Sequence, residues 1–410
     1  MTYLKNENKA MKASIFLPAL WAISVFFQVG CKNAAKKQAK DTLKQDTTQK
    51  VKKQEPKARH FDPIFDETAK YIAGIYIRNP KHIDTSLYSL TAWKNYRNKL
   101  NKNWSEYETT RLQKIEEWRN TELKAINERK YNLFYPFSGP DILHAAYFFP
   151  NADTINMIGL EPVGEIVQLN KEKFKEPEKF FRSAEISLQS ILRHGFFKTA
   201  AMRVDLSAQG LNGTIPVMML FLGRMGYIVE NMQFIYVDPQ GKINKGRKQT
   251  DKEVQGIEIA FSKGADKPLK ILRYFSADIS DEGLKKKTPA FVTYIKSLGR
   301  VTTYLKAASY LLHRDEQFPT IRKLILDQSD WIVQDDTGIP LKYLPDNSWQ
   351  KTYYGTYTKP IAMFAVRFQK DLKEKYSDKE KVKPLPFLVG GYNMSEGEKI
   401  ANMMVAQRIK

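Results

Sequence analysis

The sequence predicts a mixed α/β fold, and three patterns along the chain support that class. Residues 131–165 have the order strand, glycine turn, helix, strand. Three runs between residues 233 and 275 alternate apolar and polar side chains, as antiparallel strands with one buried face do. Residues 86–130 contain no glycine or proline and place apolar side chains three or four positions apart, which is typical of one long amphipathic helix.

Residues 1–30 have the parts of a secretory signal. Lys12 precedes an apolar run of about eighteen residues that ends in the small residue Gly30. The alternative is a transmembrane anchor, because the run is just long enough to span a bilayer. Pro18 and the polar Gln28 within the run favour the signal.

The end of this run, Val29-Gly30-Cys31, resembles the lipobox of bacterial lipoproteins, although Gln28 stands where that family usually has leucine. The resemblance implies that Cys31 becomes the amino terminus and carries fatty acyl chains such as palmitate. It therefore implies a protein of the cell envelope that is anchored to a membrane. Cys31 is the single cysteine, so neither an internal disulfide nor a cysteine-based zinc site can form.

Residues 31–60 predict a disordered, lysine-rich tether. Ten lysines and arginines oppose three acids there, and almost no apolar side chain is present to offset the cost of ordering. The positive charge is compatible with a plain soluble linker, with binding to anionic lipid headgroups or with nucleic-acid binding. An exported segment without interleaved aromatic residues argues against nucleic acid as a partner.

Residues 61–130 predict a helical brace, with a short helix at 62–77 and a long helix that begins near residue 85. Packing of the long helix against the body or a coiled-coil partner is one interpretation, and an aromatic platform for glycans is the other. The apolar stripe of the long helix consists of Trp93, Tyr96, Leu100, Trp104, Tyr107, Ile115, Trp118 and Ile126.

The body, residues 131–410, begins with the strand–turn–helix–strand unit. Its order resembles the first half of a Rossmann-type or methyltransferase-like fold. Glu161 follows Gly139 by twenty-two residues, close to the spacing of an acid that binds a ribose. Only one glycine stands where three are usual, and Asp141 would repel a pyrophosphate. We therefore expect no dinucleotide cofactor, while a neutral or cationic ligand such as S-adenosylmethionine remains compatible with the charge.

Ser138, Asp141 and His144 also suggest a hydrolase, since Asp141 and His144 share one face of the predicted helix. No G-x-S-x-G motif surrounds the serine. Ser138 is instead expected to cap the helix, with Pro140 in its first turn and Asp141 near its positive end.

The rest of the body predicts strands mixed with helices, and a helical carboxyl-terminal part. Residues 215–222 fit either a buried helix or a buried strand. The other predicted helices cover 178–204, 290–313, 319–329, 359–376 and 395–408.

A second polar segment contains Asp335 and Asp336, followed by an aromatic stretch with Trp349, Tyr353 and Tyr354. Adjacent carboxylates can bind a hard cation, but two acids on a turn are also ordinary turn chemistry, so we expect no metal. The aromatic stretch lacks strand or helix periodicity. It is therefore interpreted as a loop that covers a ligand crevice.

Two classes of function follow from these residues. The first is a non-catalytic module that binds a small molecule, a glycan or another envelope component. The second is an enzyme, a hydrolase or transferase, with its site around Glu161 and His144 and with Asp141 and Ser138 nearby. Convergence of the predicted residues on one pocket would favour the enzyme.

Overall fold

A mixed sheet of eleven strands runs through the part of the chain that the computed structural model describes, which is residues 59–170, 174–194, 211–360, 362–388 and 401–409. The predicted signal, Cys31 and nearly all of the predicted tether lie outside these ranges. The strands are β1 (Tyr131–Tyr135), β2 (Ala152–Gly159), β3 (Ile228–Val237), β4 (Ile243–Lys245), β5 (Val254–Ser262), β6 (Lys270–Ser276), β7 (Val301–Leu305), β8 (Ser329–Gln334), β9 (Trp349–Gly355), β10 (Val382–Lys383) and β11 (Asn402–Arg408).

Helices cover both faces of this sheet. Leu133 and Tyr135 pack with α2, α5, α6 and α7, while Phe134 between them packs with α8, α9 and α10 on the other face. The described helices are α1 (Pro63–Ile72), α2 (Thr91–Tyr107), α3 (Gln113–Glu122), α4 (Lys124–Asn127), α5 (Ile142–Phe148), α6 (Pro177–His194), α7 (Ile215–Arg224), α8 (Ala290–Ser297), α9 (Pro319–Gln328) and α10 (Lys370–Ser377).

The centre of the sheet is parallel and its flanks are largely antiparallel. The strands lie in the order β10-β9-β11-β8-β7-β1-β2-β6-β5-β3-β4. From β8 to β6 every neighbouring pair is parallel. Numbered along the chain, these five parallel strands have the order 5-4-1-2-3, so the direction of strand addition reverses between β1 and β7. The α/β class predicted from the sequence is confirmed.

The long helical brace packs against the body, as the apolar stripe predicted. Helical structure continues from Thr91 to Glu122 through a π-helical turn at Glu108–Leu112, and α4 follows. All eight stripe residues are buried, each less than a tenth exposed. The glycan-platform interpretation is therefore wrong, because it required exposed rings.

The strands predicted between residues 233 and 275 are confirmed as the antiparallel set β3, β5 and β6. Residues 215–222 form helix α7. The predicted helix at 178–204 is described as α6 up to His194, and residues 195–204 lie outside the described ranges.

Two strands were mistaken for helix. The segment predicted as helix over 290–313 contains α8, then β7, then a 3₁₀ turn at Ala308–His313. Residues 401–408 of the predicted helix at 395–408 contain β11, and residues 395–400 lie outside the described ranges. Residues 403–406 of β11 are all buried, so the strand shows a continuous apolar run, and periodicity alone cannot distinguish such a run from a buried helix.

The aromatic stretch is not a loop. Trp349, Tyr353 and Tyr354 lie on β9, which is hydrogen-bonded to β11 along its whole length. The predicted helix at 359–376 is also shorter, since a 3₁₀ turn (Ala362–Arg367) precedes α10. Both faces of β9 carry buried aromatic rings. Its sequence therefore lacks the alternation of apolar and polar residues by which a strand is recognised.

Candidate functional site

The residues predicted to carry function gather at the carboxyl ends of the parallel strands. Ser138 and Asp141 follow β1, Glu161 follows β2, and Asp335 follows β8. In open α/β sheets with parallel strands, ligands bind in the crevice outside this edge. The structure therefore brings these sequence-predicted residues to one edge of the sheet, but it divides them between an open cleft and a closed interior network.

The open part is a cleft of about 80 Å³, which we call the Glu161 cleft. Its walls are mostly apolar, and two carboxylates, Glu161 and Asp278, contribute the charge. The lining residues are Phe137, Gly139, Ile158, Gly159, Leu160, Glu161, Ala277, Asp278, Ile279, Leu311 and Phe318.

Glu161 lines this cleft although the residue is only 2% exposed, and a tyrosine and two glycines hold it in place. Tyr274 Oη donates to the backbone oxygen of Glu161 at 2.9 Å and lies 3.4 Å from its Oε2. Any side chain at Gly159 would start 2.4 Å from Oε2, so only glycine leaves room for the carboxylate. Gly139, at a φ of +53°, faces the same carboxylate from the other side. The position of Glu161 thus depends on three residues from three separate segments.

Phe137, at the rim of the cleft, has an unusual backbone conformation. Its φ of 61° is uncommon for a residue with a bulky side chain. The ring packs edge-on against Phe318 with 5.9 Å between the ring centroids. Strained backbone of this kind tends to occur at ligand sites.

The closed part is a buried network of Asp141, His144 and Lys306. Lys306 Nζ donates to Asp141 Oδ2 at 2.6 Å, and His144 Nδ1 lies 2.8 Å from both Asp141 Oδ1 and Lys306 Nζ. Tyr107 Oη lies 2.9 Å from His144 Nε2, and Tyr135 Oη donates to Asp141 Oδ2. The network joins β1, α5, β7 and the long helix.

Burial and the short distances set the charges of this network. Burial lowers the pKa of His144 and of Lys306. Burial alone would raise the pKa of Asp141, but His144 and Lys306 outweigh it and hold that pKa well below its usual range. The 2.6 Å contact between Lys306 Nζ and Asp141 Oδ2 favours the charged forms of both groups, so we treat these two side chains as an ion pair.

This network does not open into the Glu161 cleft. His144, Asp141 and Lys306 are 0%, 2% and 3% exposed. The apolar cleft residues Ile158, Ile279 and Phe318 belong to the core on one face of the sheet, whereas Tyr107 and Tyr135 belong to the core on the other. The acid–imidazole pair expected from the sequence is therefore formed, but its position is that of an interior brace.

Ser138 takes no part in this pair. Its hydroxyl lies within hydrogen-bond distance of the backbone oxygens of Gly139 and Ile158. The contact with Ile158 connects the segment after β1 to β2. The prediction that Ser138 caps the helix is wrong: α5 begins at Ile142, and Asp141 caps it by accepting from the backbone N–H of His144. The helix begins after Pro140, not at it. The capping position is therefore Asp141, three residues later than the predicted cap Ser138.

Asp335 and Asp336 are adjacent in the chain but have separate partners. Asp335 accepts from the N–H and hydroxyl of Thr337 and from the N–H of Ala307. Asp336 accepts from Tyr310 Oη and Asn402 Nδ2. Burial, together with Asp336, raises the pKa of Asp335 to about 7, and burial raises the pKa of Asp336 as well.

The aromatic residues of β9 do not line the Glu161 cleft. Trp349 lies under the guanidinium of Arg408, at 4.5 Å from the ring centroid. Tyr353 packs against Tyr376, and Tyr354 donates to Glu122 at 2.7 Å. These contacts bury the three rings in the body and leave the cleft without the aromatic cover expected from the sequence.

Lys306, Tyr274 and Gly159 were missed by sequence reasoning. Lys306 follows β7, and the run Val-Thr-Thr-Tyr-Leu after Gly299-Arg300 is a signal for that strand, because β-branched residues favour strands. Tyr274 and Gly159 carry no local signal, since their function depends on a parallel pairing between β2 and β6.

Within the described residues, no three His, Cys, Asp or Glu side chains are arranged to hold a metal ion. In the same part of the chain, no helix combines the length and apolarity needed to span a membrane. No protein-family model, curated protein or solved structure matches the chain.

Proposed function

We propose that the protein binds a nucleoside in the Glu161 cleft and that Glu161 accepts hydrogen bonds from the ribose hydroxyls. The observation that carries this proposal is the position of the Glu161 carboxylate, at the carboxyl end of the second parallel strand and beside the glycine turn that follows the first. An acid at this place binds the ribose in doubly wound folds whose strand order, 3-2-1-4-5, is that of the five parallel strands here.

The charge of the cleft supports a ligand without a pyrophosphate. Glu161 and Asp278 line the cleft, and the turn after β1 carries one glycine where a pyrophosphate-binding loop has three. A neutral nucleoside such as adenosine, or a cationic one such as S-adenosylmethionine, fits this arrangement. Binding of S-adenosylmethionine, a methyl donor, would favour a transferase, and binding of adenosine alone would favour a binding module.

The size of the cleft adds a requirement. Ligand pockets usually enclose about 300 Å³ or more, and the cleft has about 80 Å³. Binding a whole nucleoside therefore requires lining side chains such as the half-buried Leu311 and the buried Phe318 to move. Apolar walls suit the base, while the acid end suits the ribose.

The test is the melting temperature of the full chain with adenosine, S-adenosylmethionine, NAD, simple sugars and divalent metals. A ligand at about a hundred times its dissociation constant stabilises by about 2.7 kcal/mol. We expect a rise with adenosine or S-adenosylmethionine and none with NAD. Glu161→Gln should remove the rise, whereas Glu178→Gln, an exposed glutamate on α6, should keep it. A rise that survives Glu161→Gln would refute the assignment of the site.

His144 is outside this proposal. Its ring is 0% exposed and both of its nitrogens already have partners within 2.9 Å. The geometry therefore does not support a hydrolase that uses His144 as its general base.

We further propose that the body is held at a membrane of the cell envelope through lipidation of Cys31. The lipobox-like Val29-Gly30-Cys31 and the apolar run before it support this. Several acyl chains on one cysteine hold a protein firmly, whereas one chain holds it weakly. Metabolic labelling with a fatty acid should mark the wild type and not Cys31→Ser, and equal labelling of the two proteins would contradict the proposal.

A further inference from the structure

A second concave surface lies at the amino-terminal edge of the parallel strands, opposite the Glu161 cleft. It encloses about 350 Å³, and we call it the basic cavity. Lys130 directly precedes β1, Asn151 directly precedes β2, and Lys270 is the first residue of β6. Its lining also includes Glu116, Arg119, Lys263 and Lys267, with Tyr147 and Tyr227 on the aromatic side.

Cations dominate this lining, which holds four lysines and one arginine against the single acid Glu116. Three of the five cations already have a carboxylate partner. Arg119 pairs with Glu116 at 2.5 Å, Lys130 with Asp153 at 2.7 Å, and Lys267 with Asp266 at 3.2 Å.

Lys263 and Lys270 differ from these three. Among the described residues, neither ammonium forms an ion pair with a carboxylate. Lys263 Nζ donates to the backbone oxygen of Met225 and lies 4.1 Å from the centroid of the Tyr227 ring. Lys270 Nζ donates to the backbone oxygen of Ala152 at 2.9 Å. Both ammonium groups thus have donor capacity left in a concave, cation-rich site.

The surroundings disfavour the charge on both lysines. Burial, and after it the neighbouring Lys130, lowers the pKa of Lys270 to about 8. Lys263 is more exposed than Lys270, and partial burial of its ammonium group lowers its pKa although Glu116 acts in the opposite direction. A nearby anion would reverse this effect, because opposite charge within a few ångströms favours the protonated lysine.

We propose that the basic cavity binds the phosphate group of an anionic ligand, with Lys263 and Lys270 as the principal donors and Arg119 beside them. A phosphate has enough acceptor oxygens to serve several ammonium groups at once. The apolar and aromatic wall, formed by Tyr147, Tyr227 and Pro268, suits the uncharged remainder of the ligand. The phosphate has two sources, a soluble phosphorylated molecule or the headgroup of a membrane lipid.

This site is independent of the proposed nucleoside site. The eight residues of β2 separate the two edges of the sheet, which is roughly 25 Å at about 3.3 Å per residue. Failure of either proposal therefore leaves the other intact.

The test titrates the full chain with glycerol 3-phosphate, by calorimetry at pH 8 and low salt. We expect saturable binding that weakens as salt is added. We also expect proton uptake by Lys270, visible as a binding heat that differs between buffers of different ionisation enthalpy. Lys263→Gln/Lys270→Gln should weaken binding at least tenfold. Lys245→Gln/Lys252→Gln, which removes two exposed lysines elsewhere, should leave it unchanged.

Vesicles of phosphatidylglycerol provide the second arm. Both proteins keep residues 31–60, so a difference between wild type and Lys263→Gln/Lys270→Gln reports the cavity and not the basic tether. Binding of the soluble compound identifies a soluble ligand, and variant-sensitive binding to vesicles alone identifies a lipid headgroup. Lys267→Glu, an exposed rim variant, should weaken whichever binding is found. Absence of saturable binding in both arms, or equal affinity of wild type and the paired variant, would overturn the proposal.

Discussion

Asp141 has two functions in the interior: it caps α5, and it neutralises Lys306. Removing two charges from water costs several kcal/mol for each ion, and their attraction repays this only when the geometry is good and the remaining bonds are made. Here the two side chains meet at 2.6 Å, and Tyr135 donates to the same carboxylate oxygen. We therefore expect that Lys306 contributes to stability mainly because it neutralises the buried Asp141 carboxylate.

Lys306→Met tests this dependence. It leaves the Asp141 carboxylate buried without its counter-ion, and we expect a loss of about 3–5 kcal/mol in the free energy of unfolding. Adding Asp141→Asn removes the stranded charge and keeps a capping side chain, so the double variant should be more stable than Lys306→Met alone. Urea unfolding measures both. Lys323→Met, at an exposed lysine, is the control, and simple additivity of the two losses would contradict the coupling.

Glu161 and Lys306 show which residues of the site sequence alone could identify. Glu161 follows a glycine turn, a helix and a strand within one short segment, so spacing was enough to single it out. Lys306 meets Asp141 across 165 positions of chain. No local pattern encodes that contact, which exists only because β7 pairs with β1.

The π-helical turn in the long helix resolves an irregularity in its apolar stripe. Tyr107 and Leu112 are both buried although they are five residues apart, a spacing that a regular α-helix does not keep on one face. The i→i+5 bonds of a π turn accommodate one extra residue and return the following stripe to the same side. Ile115 and Trp118 consequently face the body again.

Deleting the exposed Thr110 should convert this turn into regular α-helix. Leu112 would then follow Tyr107 by four positions, and the buried stripe would remain in phase, so we expect a loss of no more than about 1–2 kcal/mol. Deleting the exposed Lys102 in regular α2 should rotate one half of the stripe by about 100° against the other and prevent stable folding. Thermal unfolding followed by circular dichroism compares the two proteins. Equal stability of both deletions would refute this account of the turn.

At the scale of elements, the sequence was sufficient where one face of an element is buried. The long helix alternates buried and exposed positions, the strands β3, β5 and β6 mix buried with half-buried positions, and all four elements were predicted. The strands β7 and β11 are buried on both faces and were assigned to helices. Their strand conformation depends on neighbours far away in the chain, and those neighbours leave no periodic trace in the segment itself.

Ionisable side chains gather at both edges of the parallel sheet in the described part of the chain. Glu161, Asp278, Asp335 and Asp336 lie at the carboxyl edge together with the Asp141–Lys306 ion pair, while the lysines of the basic cavity lie at the amino edge. Burial raises the pKa of Asp335 and of Asp336. These two acids therefore link the stability of the whole fold to pH.

The sign of that link follows from Asp335. Its pKa is raised by burial and by Asp336 to about 7 in the folded protein, above its ordinary value of 3.8. A raised folded pKa means that folding favours the protonated acid. The stabilisation is therefore complete below about pH 4 and is lost as the pH rises through about 7.

Asp336→Asn should make this pH dependence shallower. Without the neighbouring carboxylate, the pKa of Asp335 falls toward its ordinary value, while the amide oxygen of the new side chain can still accept from Asn402. We expect the free energy of unfolding, measured with urea between pH 4 and pH 8, to shift in favour of the variant relative to the wild type as the pH rises. Burial lowers the pKa of His144 and of His313, which adds a rise in stability with pH that is common to both proteins, so the readout is the difference between the two curves. Asp251→Asn, at a fully exposed turn, should follow the wild-type curve. Parallel curves for Asp336→Asn and wild type would show that the two carboxyls titrate independently, and a steeper fall in the variant would reverse the assigned sign.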